Sequence, residues 1–218
     1  MKISKLAIAG LGLAAVSRLA LRNTGVTRHE RRRQLPGDAL VPGARKPWTM
    51  AATVDAPPVA VWQWLVQMGC DRGGFYSFDR LDNAGRPSVE EIRPEWQKLA
   101  PGDRLDSHPS GRTWFEVAEV EPERALVLRS SIDLRAGRSY DPAGERPRFF
   151  VDSSWAFVLE PLASRTRVLV RTRSAERPRL LAQLAGYFLF DPAHYVMQTR
   201  QLVRIRRLAE SSELVEAA

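Results

Sequence analysis

Cysteine is nearly absent from this chain of 218 residues: Cys70 stands alone, so no intramolecular disulfide can form. A lone cysteine beside an apolar helix reads as a small buried hydrophobe. Histidine is almost as scarce. His29, His108 and His194 lie far apart without ligand-type spacing, and with a single cysteine they make no zinc site. Neither a metal nor another cofactor is expected. Long apolar runs are missing too: the N-terminal run from Leu6 to Val16 has eleven residues, against about 20 needed to span a bilayer. Nucleotide loops are equally absent. Gly73-Gly74 lacks the Lys-Ser/Thr of a phosphate loop, and Gly10-Leu11-Gly12 has no strand before it. Lysine is rare, with 4 against 29 arginines, which reads as compositional bias and not as phosphate recognition.

The net charge of +8 is uneven. Residues 1–46 hold ten Lys/Arg and two Asp/Glu, whereas residues 47–218 hold 23 of each. The basicity belongs to the N-terminal extension and the remainder is neutral. A nucleic-acid partner is therefore not expected, because its basic footprint should lie on the fold itself.

What is present supports one globular domain. An apolar share of 44% is enough for a core. The expected division is an apolar and basic extension (1–23), a folded domain (24–210) and a tail (211–218) that frays. Lys2 and Lys5 precede the N-terminal apolar run, and Arg18 and Arg22 follow it. Three readings stay open: a short signal peptide, a helix in the membrane interface helped by Arg28, Arg31, Arg32 and Arg33, or a helix packed on protein. The basic residues after the run favour a cytoplasmic location, with membrane contact through residues 1–33.

The chain is organised around Ala56–Asn83. Asp55 is placed to cap a helix that opens with Pro57-Pro58. Val61, Trp64, Leu65 and Met68 share one apolar face, Trp62 and Val66 a second, and only Gln63 and Gln67 are polar, so the helix is covered on most sides. Gly69 ends it, and Gly73-Gly74 makes a tight turn into an aromatic and charged loop. That loop is either a packed turn with surface ion pairs, or Arg72, Tyr76 and Asp79 reach the mouth of a ligand cavity.

Around this stretch lie strands at Trp48–Val54, Arg104–Ser107, Thr113–Val120, Ala125–Ser130, Phe149–Leu159 and Thr166–Ser174, with an exposed loop over 133–148. In the last strand Val168, Val170 and Thr172 face one way, while Arg167, Arg171 and Arg173 face the other and read as solvated. Leu180–Phe190 carries no charge and reads as a core helix, a lid or a membrane-docking surface. Asp191-Pro192 then starts a helix with Tyr195, Leu202, Ile205 and Ala209 on its apolar face and Arg200, Arg204 and Arg207 opposite. His194, at the helix start, is either a general base or a capping or surface residue. Glu95 and Asp103 are candidate acid and base, at turns where caps and ion pairs are common. The order predicts an α+β fold, a curved antiparallel sheet wrapped around a long C-terminal helix.

Several phrases resemble the START-like, polyketide cyclase/dehydrase-related superfamily (SRPBCC proteins) with its helix-grip fold. They are Leu35-Pro36-Gly37-Asp38, Ala56-Pro57-Pro58 followed by Val61-Trp62, Trp64-Leu65-Val66-Gln67-Met68-Gly69, and Arg72-Gly73-Gly74-Phe75-Tyr76-Ser77. Pro94-Glu95 with Gln97, Gly102-Asp103, and Ser154-Trp155-Ala156-Phe157 complete them. The resemblance spans roughly residues 24–209. It implies a cavity between sheet and C-terminal helix that holds a lipid, a polyketide or another apolar molecule. Members include cyclases, carriers and regulators without a common catalytic set, so no catalytic residue is carried over. In this chain an apolar ligand would lie between Phe115, Trp155 and Phe157 on the sheet and Tyr195 on the helix, with polar ends meeting Arg72, Tyr76 or Asp79. The alternatives are a cyclase or dehydratase acting on a polyketide-like substrate, and an interaction module whose cavity is filled by its own aromatics. A perturbed titratable group inside the cavity would favour the enzyme.

Overall fold

The computed structural model describes residues 23–44, 47–178 and 191–216, with side chains as far as Ser211. The N-terminal apolar run and the Leu180–Phe190 segment lie outside the described residues. Among the described residues no helix is long and apolar enough to cross a membrane.

The elements in chain order are α1 (Arg28–Arg32), β1 (Trp48–Val54), α2 (Pro58–Val66), α3 (Asp79–Asp82) and a single 3-10 turn (Pro94–Trp96). Then come β2 (Arg104–Asp106), β3 (Trp114–Glu121), β4 (Ala125–Asp133), β5 (Arg138–Ser139), β6 (Phe150–Leu162), β7 (Arg165–Arg177) and α4 (Asp191–Glu216). The strands form one antiparallel sheet in the order β1-β7-β6-β4-β3-β2, with the short β5 beside β4. α4 packs on α2 and β1. This is the expected α+β arrangement, although at the tail α4 continues past Glu210 to Glu216.

The inner face of the sheet follows from alternation. Val168 and Val170 of β7, Phe157 and Leu159 of β6, Leu126 and Leu128 of β4 and Val117 of β3 join one core with α2 and with Leu202, Ile205, Leu208 and Ala209 of α4. The register between β3 and β4 slips between Val117 and Glu119, and such a bulge bends the strand and sharpens its twist.

The outer face departs from expectation. It is not solvated: residues 23–44 lie across it. Leu35 packs on Val158 and Leu169. Gly37, at φ +79°, sits so close to the sheet that a Cβ there would stand 2.5 Å from Cγ1 of Val127. Arg171, 3% exposed, pairs with Asp38 at 2.8 Å and donates to the carbonyls of Glu30, Arg31 and Arg33 at 2.8, 3.2 and 2.9 Å. It therefore satisfies the open carbonyl end of α1 as well as a carboxylate. Arg167 binds Glu30 at 2.8 Å, and Glu30 completes a capping box with Thr27 at the other end of α1. An alternating arginine row looks the same in sequence whether it meets water or a second layer. Here Leu35, Gly37 and Asp38 of the Leu-Pro-Gly-Asp phrase, with α1, supply that layer.

Removing Arg171 takes from three carbonyls their side-chain donor and from Asp38 its closest cation, leaving Asp38 the Leu35 N–H at 2.9 Å. Arg171→Ala is expected to lower stability by about 3–5 kcal/mol, read by urea denaturation. Arg173→Ala, which removes a longer and half-buried contact to Asp38 at 3.6 Å, should cost about 1 kcal/mol or less. Equal losses would show that the outer layer is not held by Arg171.

Candidate functional site

The site begins with how α2 hands the chain on. Ala60, Val61, Trp62, Trp64, Leu65 and Val66 are all buried. The helix has Pro57 at its N-cap position and no side-chain cap. Asp55 instead lies at the surface, two positions before the N-cap and 3.6 Å from Arg206. Gln67, at the far end, is fully buried and fully used. It donates to the Tyr76 hydroxyl at 2.6 Å and to the Glu91 carbonyl at 3.1 Å, and accepts from the Arg93 N–H and from Gln97, both at 3.2 Å.

Gly69 and Gly74 then pair across a tight turn, with N–H to carbonyl distances of 3.2 and 2.8 Å. Tyr76 follows at φ +60°. For a non-glycine residue that is a held conformation, of the kind found where surrounding contacts over-determine the backbone. Burial and the edge contact with Trp64 at 5.9 Å supply those contacts. With Tyr76 turned into the core, its neighbours Phe75 and Ser77 face a cavity.

That cavity has a volume of about 300 Å³. It lies between the inner face of the sheet (Phe115, Ser153, Trp155 and Thr172), the Phe75–Asp82 segment, and the first turns of α4. Its apolar side is an aromatic group: Phe75 to Phe115 at 5.8 Å, Phe115 to Trp155 at 5.5 Å, and Phe157 backing Trp155 at 4.8 Å. From α4 come His194, Met197, Gln198 and Gln201, at spacing i, i+3, i+4 and i+7, one helix face. A chain of hydrogen bonds spans the gap: Trp155 Nε1 donates to Gln198 at 3.0 Å, Gln198 to Gln201 at 2.7 Å, and Gln201 to the Phe75 carbonyl at 2.8 Å.

Two titratable groups border the cavity. His194 has its ring edge-on to Trp48 at 5.5 Å and its Nε2 3.4 Å from the Thr172 hydroxyl. Burial, only partly opposed by Asp191, brings its pKa down to about 4, so it is neutral at pH 7. Asp82 moves the other way. Burial, and then the neighbouring charge of Asp79, push its carboxyl up to about 6. The Ser77 hydroxyl and the backbone at Asp82 and Phe78 stand close enough to oppose the rise, yet none closes a full hydrogen bond to the carboxyl, and the Ser77 hydroxyl has no other partner. Asp79, one helical turn earlier, has the opposite fate. Burial would raise its pKa, but hydrogen bonds from Ser88 and Arg204 outweigh it and hold it below the ordinary value.

The residues expected at a site fall into two groups. Phe115 and Trp155 are on the cavity wall. The other five are placed elsewhere. Phe157 is fully buried behind Trp155, and Tyr195 packs against the core. Arg72 turns away to the carbonyl of Trp96. Tyr76 is fully buried on Gln67, with its pKa raised to about 12 by burial. Asp79 is 3.2 Å from Arg204. The polar groups at the cavity are instead Asp82, Ser77, His194 and the two glutamines. The sequence signal for them is the i, i+3, i+4, i+7 spacing of His194, Met197, Gln198 and Gln201, just ahead of the apolar residues Leu202 and Ile205. Asp103 accepts from the N–H of Ala100 at 2.8 Å and closes its own turn. Glu95 is exposed. No group of three metal-ligating side chains occurs among the described residues.

No protein-family model matches the sequence, and no curated protein does. Solved structures similar in shape include protein MLL2253 from Mesorhizobium loti, 16% identical, covering 75% of this chain and 97% of its own, at a TM-score of 0.41. Another is CalU16 from Micromonospora echinospora, 14% identical, covering 78% and 85%, at 0.34. A third is DynU16 of the dynemicin biosynthetic locus, 17% identical, covering 72% of this chain and 46% of its own, at 0.39. Likenesses of this strength say nothing about chemistry.

The raised pKa of Asp82 has a consequence for stability. Between the ordinary value of 3.8 and about 6 the folded chain binds this proton more tightly than the unfolded one. Stability therefore falls as pH rises through that window and stays lower above it. Asp82→Asn should be more stable than the parent at about pH 8, by on the order of 1 kcal/mol once solvent screening at the cavity is allowed for. The advantage should vanish at about pH 3.5. Urea midpoints at both pH values read it, and a variant less stable at pH 8 would mean that the carboxylate has a partner.

Proposed function

We propose that the chain binds an apolar small molecule, lipid-like or polyketide-like, in the cavity between sheet and α4. The observation that carries this reading is the cavity itself: a wall of Phe75, Phe115, Trp155 and Met197 facing a few polar groups, the usual composition of a ligand site. Size limits the ligand. At ~30 Å³ per water-sized group, 300 Å³ takes on the order of ten non-hydrogen atoms. That suits one or two rings or a short chain, or the end of a longer molecule, and not a whole phospholipid.

Ser153 borders the cavity from the first half of β6. Ser153→Trp should fill the space and weaken binding of any co-purifying or added apolar ligand at least about tenfold, with the far-ultraviolet dichroism unchanged. Native mass spectrometry of the full chain with organic extraction identifies the ligand, and the change in tryptophan fluorescence, with Trp155 on the cavity wall, titrates it. A parent protein that carries nothing and responds to no apolar compound would favour an interaction module instead.

A second reading is favoured by Asp82. A carboxyl with a pKa of about 6 inside a cavity suits proton transfer near neutral pH, as a cyclase or dehydratase requires. Conversion of the co-purified compound should then rise with an apparent pKa near 6 and fall by about a hundredfold or more in Asp82→Asn. A flat pH profile, or full turnover in the variant, would leave binding alone.

A further inference from the structure

We infer that the polar end of the ligand is a hydrogen-bond donor, a hydroxyl or an ammonium held by the Asp82 carboxyl, and that the cavity rejects carboxylate and phosphate amphiphiles. This rests on the binding reading above and concerns which apolar molecules the site accepts.

The first observation is an unmet need. Both carboxyl oxygens of Asp82 and the Ser77 hydroxyl are buried without a hydrogen-bond partner, and both residues border the cavity. Buried acceptors are nearly always satisfied, so these atoms are open to a donor in the cavity, which solvent supplies until a ligand displaces it. A ligand hydroxyl can donate to Asp82 and accept from Ser77 in one position. An ammonium can donate to both carboxyl oxygens.

The second observation is the absence of anything to hold an anion. Among the described residues lining the cavity there is no lysine or arginine. Nearby arginines are committed elsewhere. Arg204 lies 3.2 Å from Asp79 and 3.3 Å from Glu90. Arg200 donates to the Ser77 carbonyl at 2.9 Å with its guanidinium 4.6 Å from the centre of the Phe78 ring. Arg72 is on the Trp96 carbonyl. The neutral donors of the wall are also largely spent: Trp155 Nε1 on Gln198, Gln198 on Gln201, Gln201 on Phe75, and the Ser107 hydroxyl on Thr113 at 2.8 Å. His194 is held neutral by burial. An anionic end would meet a carboxylate and few donors, a like-charge pairing with nothing to offset it.

The test is calorimetric titration of the full chain at about pH 8 with three probes of one shape: phenylpropanol, phenylpropylamine and phenylpropanoate. The phenyl ring suits the aromatic wall, and each probe is near the size limit. The alcohol and the amine should bind at least about tenfold more tightly than the carboxylate. Asp82→Asn should remove that preference, bringing the carboxylate to within about threefold of the amine. The alcohol and amine arms distinguish a neutral from a cationic ligand. A carboxylate that binds the parent as tightly as the amine overturns the inference while leaving the binding reading intact. Preference retained in Asp82→Asn overturns the role of Asp82. Absence of binding by all three probes, with Ser153→Trp indistinguishable from the parent, removes the binding reading and this inference with it.

Discussion

A helix lies flush on a sheet only where its inner face is apolar, and the inner face of α4 changes character halfway along. Its later turns present Leu202, Ile205, Leu208 and Ala209 and enter the common core with α2. Its first turns present His194, Gln198 and Gln201, which cannot be pressed against aromatic rings without losing hydrogen bonds. The cavity lies at those first turns. The bonds from Trp155 through Gln198 and Gln201 to the Phe75 carbonyl then hold the helix at that separation. Closing the gap would break this chain, and widening it would do the same.

The sheet that receives α4 is braced from behind. Arg171 is among the most enclosed charged groups of the described chain, and it ties Asp38 and the end of α1 to the middle of β7. Thr172, the next residue on the same strand, borders the cavity on the other face. One strand thus carries the bolt of the outer layer and part of the wall of the site, the alternation of a strand sending neighbouring side chains to opposite faces. A charge buried in this way is retained at a desolvation cost, and here it fixes the position of a segment that has little apolar surface of its own.

Asp79 and Asp82 show how environment separates two identical side chains. Both belong to α3. Asp79 turns outward to Ser88 and Arg204 and is held ionised. Asp82 turns toward the cavity, finds no cation, and keeps its proton to a higher pH. The arginines of α4 that read as a plain polar face, Arg200 and Arg204, clamp the Ser77–Glu90 segment. By doing so they are drawn away from Asp82, and the cavity is left with a negative character and no counter-ion among its described lining residues.

The sequence by itself determined the elements. Apolar periodicity, proline and glycine placed β1, α2, the strands and α4 nearly where they stand, because those signals are local and depend only on the chain's own 2.0 and 3.6 residue periods. It also determined that Phe115 and Trp155 share the inner face. What only the tertiary structure decided is what each polar side chain meets. Arg171 had the pattern of a solvated residue and became the most buried of its row, because Leu35, Gly37 and Asp38 arrive from more than 130 positions away in the chain. Arg72, Tyr76 and Asp79 had the chemistry of a cavity mouth and were claimed by Trp96, Gln67 and Arg204. Asp82 and His194 became the groups of the site by facing the same space from α3 and α4. A hydrogen bond or a pKa shift depends on the distance between residues remote in sequence, and that distance exists only once the chain has packed.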